Sequence, residues 1–592
     1  MKTFINYLAI ILLLIFIQAC AGSEKKPGKE FTYKVGILGA PSRPNVEWND
    51  QNIKLMKALG FNTMQLNIAW GYRPGDNPLN LEDVLPVPDK YKLPVDIDST
   101  LNKNTGSSET FIHSPQTVAS RAAELKKRIA ICKDYNMRTI FHFGAPFVAY
   151  PAIEPLSQCI STDFTIERYV ALIKDFHKEF PGVDDLLLYT YDQNAWLCSE
   201  DGECERCCGI PLDIRVTKFV NKLAQTWHEL NPDGKLWWEP WEISAGQTYK
   251  ALDSLDNSCV GLSLHSSITE VQLALPADRW FKNMLTHAGK RNIPVIGELW
   301  LGGATEEIEP YISIPTPLVT LRALRAMNEA GKLSGIKEYY GNLPDREDVN
   351  LRMTSVFFAN PEIRDKDALH MLAQPYGNAS EKVKKYWEYS SEAIEMYPWD
   401  ISWFAREVGK SDPQHSLTAA TLKGASWVTP SWLSNRRAAF MRTVETDYPH
   451  FWMMEDAQLR FEKTASLIDS ALYEASQCRD DIPQELLKDF DKGVDELTGF
   501  RQRVLSYVYH IRETNLSDIM RHSLAKWGKV KDENAKELRE LLVKDIGNQQ
   551  VERQDMKEAL QLLDKDVNLF LQTYFLKTNE NSGKDVWTIT SK

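Results

Sequence analysis

Three acidic residues, Asp192, Glu239 and Glu298, stand within or at the end of short apolar stretches rich in tryptophan and tyrosine. Hydrolysis of a glycosidic bond uses two carboxyl groups, one protonated and one charged, on either side of that bond. Apolar surroundings raise the pKa of a carboxyl group, so that it keeps a proton near neutral pH. The flanking tryptophans give Glu239 and Glu298 such surroundings. The sequence therefore predicts a catalytic site of these two residues together with Asp192.

Aromatic, amide and imidazole side chains accompany these acids along the chain. Sugar rings can stack their apolar faces on aromatic rings, while sugar hydroxyl groups hydrogen-bond to carboxylates and amides. We therefore expect eight substrate-binding residues near the same stretches: Trp70, His142, Asn194, Trp196, Glu242, His265, Trp300 and Tyr340. The alternative for each histidine is a structural hydrogen-bonded role, and for each tryptophan a place in the core. Asp192 has the alternative of a helix cap, and Glu242 that of a salt bridge in a loop.

Eight short apolar stretches carry these residues and alternate with segments of helical periodicity. Such alternation predicts a parallel sheet with crossover helices, and unbroken hydrophobicity indicates strands that are covered on both faces. The predicted strands are 33–39, 62–69, 139–144, 186–192, 235–242, 260–265, 294–300 and 336–341. Eight units over about 310 residues predict a (β/α)8 barrel, whose strands carry the chemistry at their carboxyl ends. An open doubly wound sheet is the alternative, although no glycine-rich phosphate loop follows the first stretch.

The rest of the chain shows helical periodicity without strand-like stretches. We therefore expect the α/β class, with a (β/α)8 TIM barrel followed by an all-α C-terminal region. The expected divisions are a signal peptide at 1–19, a tether at 20–31, a catalytic barrel at 32–345 and a helical region at 346–592. Helices are predicted in the last region at 381–397, 434–445, 454–477, 483–515 and 550–577.

The first twenty residues have the pattern of a targeting segment. Lys2 is followed by an apolar run at 4–17, which is too short for a comfortable membrane span. The residues before Cys20 resemble the lipobox of bacterial lipoproteins, a family in which this cysteine becomes the lipidated N-terminus. The resemblance implies an exported protein that is lipid-anchored to the outer membrane or cell surface of a bacterium. An ordinary secretory signal peptide is the alternative.

Four cysteines crowd into one short stretch, namely Cys198, Cys204, Cys207 and Cys208. In an exported protein, disulfides that pin a long loop are one explanation. Cys204 and Cys207 also have the spacing of metal ligands, so bound zinc or iron is a second explanation. Free thiols are the third.

Composition limits the partners that the protein can have. The chain has 592 residues and a formal net charge of −12, from 69 basic and 81 acidic residues. This balance argues against a nucleic-acid partner, because neutralising phosphates requires a basic surface. We expect a carbohydrate substrate, contact with a membrane through the lipid anchor, no cofactor and no catalytic metal.

Residues 33–345 resemble bacterial glycoside hydrolases that have a (β/α)8 catalytic domain. The helical region is similar to that of the α-glucuronidases of family 67. The motif Tyr191-Asp192-Gln193-Asn194, with the cysteine-rich stretch after it, looks like a loop in relatives of family 67 and of the family 20 hexosaminidases. Those hexosaminidases carry Asp-Glu at this strand end, where the Asp orients the substrate and the Glu is the acid. Gln193 stands in place of that Glu here, and a glutamine side chain has no acidic proton to give.

The resemblance implies a glycosidase, and the departure at Gln193 moves the acid elsewhere. We expect Glu239 to be the general acid and Glu298 to be the base or nucleophile, with Asp192 binding a hydroxyl group or assisting the base. A surface carbohydrate-binding lipoprotein on a catalytically inactive barrel is the main alternative function. A metal-dependent hydrolase using His142 and His265 is a further alternative, but no recognised metal-binding histidine motif supports it.

Overall fold

The computed structural model covers the barrel and most of the helical region. It describes residues 31–39, 46–67, 80–93, 115–146, 159–189, 204–240, 243, 245–265, 277–301, 311, 313–339, 341–342, 344, 348–398, 447–549 and 552–574. Cys20 and the rest of the predicted signal peptide and tether up to residue 30 lie outside these residues, as does the predicted helix at 434–445.

Eight parallel strands close into a barrel, in which each strand pairs with the next and the eighth pairs with the first. The strands are β1 (Tyr33–Ile37), β2 (Thr63–Gln65), β3 (Arg138–Gly144), β4 (Asp185–Tyr189), β5 (Leu236–Glu239), β6 (Val260–Leu264), β7 (Val295–Leu299) and β8 (Gly335–Glu338). Each predicted apolar stretch overlaps one of them. The prediction of a (β/α)8 barrel is confirmed, and the doubly wound alternative is wrong.

Helices follow the strands and cover the outside of the barrel. They are α1 (Asp50–Ala58), α2 (Leu81–Val84), α3 (Pro115–Asp134), α4 (Asp163–Glu179), α5 (Leu212–Leu230), α6 (Ala245–Ala251), α7 (Arg279–Lys290) and α8 (Pro317–Ala330). Side-chain caps fix several starts: Thr162 accepts a hydrogen bond from the Thr165 amide before α4, and Asp278 accepts one from the Phe281 amide before α7. Such caps satisfy amide groups that a first helical turn leaves without a helical partner.

The barrel interior is a packed layer of apolar side chains contributed by five different strands. Its members are Val35, Ile140, Leu187, Tyr189, Trp237 and Ile296. Gly261 on β6 makes room for the largest of them, because a Cβ atom there would lie 2.4 Å from the Trp237 ring. This cluster fills the middle of the barrel, with a polar layer towards the carboxyl ends of the strands and the Arg138–Asp185 ion pair at their amino-terminal ends.

The barrel closes between its first and last strands. Val35 on β1 pairs in register with Lys337 on β8. The Ile37 amide also donates a hydrogen bond of 3.1 Å to Asn342 Oδ1, across 305 residues of sequence. The closure thus depends on contacts between the two ends of the predicted barrel region.

Just beyond β8, Asn342 forms β-bridges with Leu38 and Gly39, and the regular structure described after it is helical. Its helices are α9 (Val349–Ala359), α10 (Asp365–Ala373), α11 (Ser380–Met396), α12 (Asp447–Ser476), α13 (Gln484–Trp527), α14 (Asp532–Asn548), α15 (Gln554–Lys565) and α16 (Val567–Tyr574). The all-α prediction is confirmed, although α9, α10 and α14 were not predicted, and the predicted helix at 550–577 is two helices. Every described helix is too short or too polar to serve as a bilayer span.

One continuous apolar core joins the barrel helices to the first helices of the C-terminal region and ends near Ile511. Tyr311 and Phe500 pack with their ring centroids 6.2 Å apart, and the Ser313 amide donates to Glu496. A second, separate core begins at Leu516 and is shared by the end of α13 and the helices after it. The expected domain boundary at residue 345 stays a prediction, and the first core extends across it.

Candidate active site

The two-residue periodicity of a strand explains why Glu239 and Glu298 face the barrel interior. Alternate side chains of a strand share a face. Trp237 and Ile296 belong to the barrel interior. Glu239 on β5 and Glu298 on β7 stand two residues further along the same strands, so they face the same interior, one layer nearer to the carboxyl ends.

Glu239 and Glu298 meet at a single cation, the ammonium group of Lys337. Lys337 Nζ lies 3.3 Å from Glu298 Oε1 and 3.8 Å from Glu239 Oε2. His142 Nε2 on β3 lies 3.5 Å from the same Glu239 oxygen, and the Ser263 hydroxyl on β6 donates a hydrogen bond to Glu298 Oε1. Five different strands thus contribute to one connected group of polar side chains.

This group is buried almost completely. Glu298 is 0% exposed, Lys337 and His142 are each 2% exposed, and Glu239 is 3% exposed. Burying charged groups is unfavourable unless they are paired and hydrogen-bonded. A purely structural barrel could fill this layer with apolar side chains at lower cost. The concentration of buried ionisable groups at the carboxyl end of a barrel is therefore typical of a functional site.

Burial and the neighbouring charges set the protonation of the group. Burial and the negative charge of Glu239 raise the pKa of Glu298 above its ordinary value, and the positive charge of Lys337 only partly opposes this rise. Burial alone would lower the pKa of Lys337, but the carboxylates of Glu298 and Glu239 raise it overall, so Lys337 stays charged. One cation against two carboxyl groups leaves a surplus negative charge, which a single bound proton removes. The layer therefore favours one protonated and one ionised carboxyl group.

The rim above this layer is aromatic. The rings of His265 and Tyr339 lie with centroids 6.2 Å apart, and those of Trp300 and Tyr339 lie 5.7 Å apart, both nearly edge to face. Trp300 is buried within the apolar core. Its ring packs on protein, and its predicted role as a sugar platform stays a prediction. His265 is also buried.

The structure brings together four of the predicted catalytic and substrate-binding residues, namely Glu239, Glu298, His142 and His265, around the same barrel mouth. Trp300 is also described, and it packs on Tyr339 at the same rim. The remaining six lie outside the described residues: Trp70, Asp192, Asn194, Trp196, Glu242 and Tyr340. Their predicted roles stay predictions.

Sequence reasoning missed Lys337 and Ser263. A lysine inside a predicted buried strand is a signal that could have pointed to Lys337, because a buried lysine requires a partner.

Glu338, the residue after Lys337 on β8, faces away from the barrel interior. Glu338 Oε2 accepts hydrogen bonds from the Leu301 amide at 2.8 Å and from the Asn342 side chain at 2.9 Å. Glu338 therefore holds backbone in place beside the site.

The cysteine-rich stretch contributes to a second group of side chains. Ligand atoms of Cys204, Cys207 and Cys159 all lie within 4.8 Å of one another. Cys208 is exposed and Cys198 lies outside the described residues. Cys159 was not among the predicted members, because it precedes α4 and is far from the others in sequence.

Comparison with known proteins gives a likeness of fold. Neither a protein-family model nor a curated protein matches the chain. A solved structure described as a GH138 enzyme targeting pectin rhamnogalacturonan II is 9% identical, with a TM-score of 0.57, over 94% of this chain and 80% of that one. PbGH5A, a glycoside hydrolase family 5 enzyme from Prevotella bryantii B14, is 10% identical, with a TM-score of 0.37, over 57% of this chain and 100% of that one.

The likeness to the GH138 enzyme extends over both the barrel and the helical region, because it covers nearly the whole chain. The protein therefore has the fold of a (β/α)8 barrel with a helical C-terminal region, and it shares this arrangement with a solved structure. At 9% identity the comparison bears on fold alone.

Proposed function

We propose that the protein is a glycoside hydrolase that cleaves a glycosidic bond of an oligosaccharide or polysaccharide. The observation that carries this proposal is the meeting of Glu239 and Glu298 at Lys337, inside the carboxyl end of the barrel. Two carboxyl groups that share one cation and favour a single proton match the protonation that glycosidic cleavage requires.

Spacing supports the same reaction. The nearest oxygens of the two carboxyl groups lie no more than about 7 Å apart, because both contact Lys337 Nζ, and catalytic carboxyl pairs in glycosidases are separated by about 5 to 9.5 Å. A shorter separation in this range suits direct attack by a carboxylate, and a longer one leaves room for a water molecule. The upper limit of about 7 Å is compatible with a catalytic pair of this kind.

In the proposed mechanism, Glu239 donates a proton to the leaving oxygen and Glu298 acts as the base or nucleophile. Burial and Glu239 raise the pKa of Glu298, and the Lys337 ammonium and the Ser263 hydroxyl only partly oppose this rise, so Glu298 acts as the base or nucleophile only after it has lost its proton. Lys337 is a positioning residue, because it holds the two carboxyl groups at a fixed separation. Asp192 binds a substrate hydroxyl or assists the base, as its position after β4 in the sequence suggests.

The substrate class follows from the barrel mouth and its neighbours in sequence. We assign substrate binding to the eight residues predicted above, of which His142 and His265 lie at the described mouth. The similar GH138 structure is described as targeting pectin rhamnogalacturonan II. Pectic oligosaccharides are therefore the first substrates to screen, followed by neutral plant and bacterial glycans. We further propose export and lipid anchoring through Cys20, which rests on the sequence alone.

The test separates cleavage from binding. Wild type, Glu239→Gln and Glu298→Gln are each screened against the same glycans for product formation and for affinity. We expect cleavage by wild type and a loss of about 100-fold to 10,000-fold in kcat in each variant, with sugar affinity largely retained. Glu329→Gln, at an exposed carboxylate on α8, is the matched control and should keep full activity.

Two results would overturn the proposal. Sugar binding without cleavage of any glycan, unaffected by Glu298→Gln, would identify a carbohydrate-binding protein on an inactive barrel. Cleavage that both glutamine variants retain would show that other residues carry the reaction.

A further inference from the structure

Three thiol groups from two separate parts of the chain converge beside the barrel. Cys159 and Cys207 lie with their Sγ atoms 3.3 Å apart, and Cys204 joins them so that all three ligand atoms fall within 4.8 Å of one another. Cys159 and Cys207 are fully buried, and Cys204 is partly buried. Thiols this close together can all reach one metal ion, because zinc–sulfur distances are about 2.3 Å.

The backbone presents the three thiols in the manner of a metal-binding turn. Cys204 and Cys207 have the Cys-x-x-Cys spacing, and the amides of Cys207 and Cys208 both donate to the Cys204 carbonyl, at 2.9 and 2.8 Å. Cys159 is held at the entrance to α4, where its carbonyl accepts hydrogen bonds from the amide and hydroxyl of Thr162.

We propose that Cys159, Cys204 and Cys207 bind one zinc ion as thiolates, with a solvent molecule as the fourth donor. A disulfide would use only two of the three converging sulfur atoms, whereas a tetrahedral zinc ion uses all three. Binding releases the three thiol protons, so the site takes up metal more tightly as the pH rises. The adjacent Cys208 is exposed and stands outside this group.

The position of this site gives it a structural role. Cys159 lies near the end of the connection from β3 to α4, and Cys204 and Cys207 lie in the connection from β4 to α5. Both connections leave the carboxyl end of the barrel. A metal bound by the three cysteines therefore crosslinks two neighbouring connections and holds the starts of α4 and α5 together. This inference does not depend on the proposed glycosidase activity.

The experiment measures metal content and stability on the reduced chain of residues 20–592. After reconstitution with zinc and removal of excess metal, we expect about one zinc ion per chain, and a thermal unfolding midpoint that falls when a chelator removes it. Cobalt in place of zinc should give thiolate-to-cobalt charge-transfer absorption. Cys159→Ser and Cys207→Ser should lose the metal and the absorption, and the matched control Cys208→Ser should keep both.

Competing outcomes are distinguished on the wild-type chain, so that a variant that fails to fold leaves the test intact. Absence of bound zinc from the reduced and reconstituted wild type would overturn the proposal. Chains loaded with zinc are also analysed by peptide mass spectrometry without reductant. A disulfide between Cys159 and Cys207 in these chains would overturn the proposal too. Two results would support the proposal. Cys208→Ser should bind as much zinc as wild type, and three thiols of the zinc-loaded chain should react slowly with a thiol reagent until a chelator removes the metal.

Discussion

Lys337 Nζ lies 3.3 Å from Glu298 Oε1, and these two residues face each other in register on adjacent strands β8 and β7. This register keeps the Cα atoms of the two residues side by side as long as the barrel is closed. A cation is thus fixed beside the carboxylate that we propose as the base or nucleophile. The pairing also places the same ammonium group within reach of Glu239.

Replacing the cation should shift the pH dependence of the reaction. Lys337 lowers the pKa of Glu298 against the effects of burial and of Glu239. In Lys337→Met the pKa of Glu298 should therefore rise further. Because Glu298 acts in its ionised form, the acidic limb of kcat/KM should move to higher pH by about one unit or more. A pH profile of the variant checks this, with Lys290→Met, at an exposed lysine on α7, as the control. An unmoved acidic limb would contradict the assigned role.

Glu298 should also make stability depend on pH. Its pKa in the folded protein is raised above that of an exposed glutamate, so the folded state holds a proton that the unfolded state has already lost. The stabilisation is complete below the unfolded pKa and is lost as the pH rises through the folded pKa, at up to about 1.4 kcal/mol per pH unit. Urea unfolding across this window should show that decline in wild type and a shallower one in Glu298→Gln. If the free energy of unfolding fell equally with pH in both proteins, Glu298 would not be the source of the pH dependence.

A small change in the barrel interior should be costly. In Gly261→Ala the added Cβ would lie 2.4 Å from the Trp237 ring, which is held inside the apolar layer beneath the site. We expect a loss of about 1–3 kcal/mol in the free energy of unfolding, because an overpacked core must shift to make room. Chemical denaturation measures this loss. Gly246→Ala on α6 is the control, since a Cβ there meets nothing within 4 Å. Equal stability of the two variants would count against the packing described.

The shared core predicts the outcome of truncation. A fragment of residues 32–345 lacks the partners of its own apolar surface, since Tyr311 packs on Phe500 and the core extends to Ile511. We expect this fragment to aggregate or to unfold without cooperativity. A longer fragment that ends at residue 528 keeps the whole first core and loses most of the second core. We expect this fragment to fold. Solubility and calorimetry compare them, and a soluble, cooperatively folded shorter fragment would show that the barrel is an independent domain.

The sequence contained enough information to predict the barrel, because unbroken apolar stretches identify strands that are buried on both faces. It also placed Glu239 and Glu298 correctly at the carboxyl ends of β5 and β7. It did not predict the contacts of Lys337, since these depend on which strands become neighbours when the barrel closes. The proximity of Cys159 to Cys207 was not predicted either, because it also depends on which strands are neighbours in the barrel.

Helices without a clear apolar stripe were harder to predict. The helix α9 buries residues on several sides, among them Asn350 and Thr354 as well as Met353. Periodicity is weak in such a helix, because amphipathicity requires one exposed face. The short helices α2 and α6 are too brief to establish a period at all.

Closure between β1 and β8 has a consequence for how the chain folds during its synthesis. The Ile37 amide can bond to Asn342 only once that residue, 305 positions later, has been made, and at about 5–20 residues per second the delay is tens of seconds. Throughout this time the edge of β1 has no strand to pair with on that side. Contacts this distant in sequence also slow folding, because a long loop must be closed before they form. Newly made chains should therefore rely on chaperones or on an unfolded export route until the last strand has emerged.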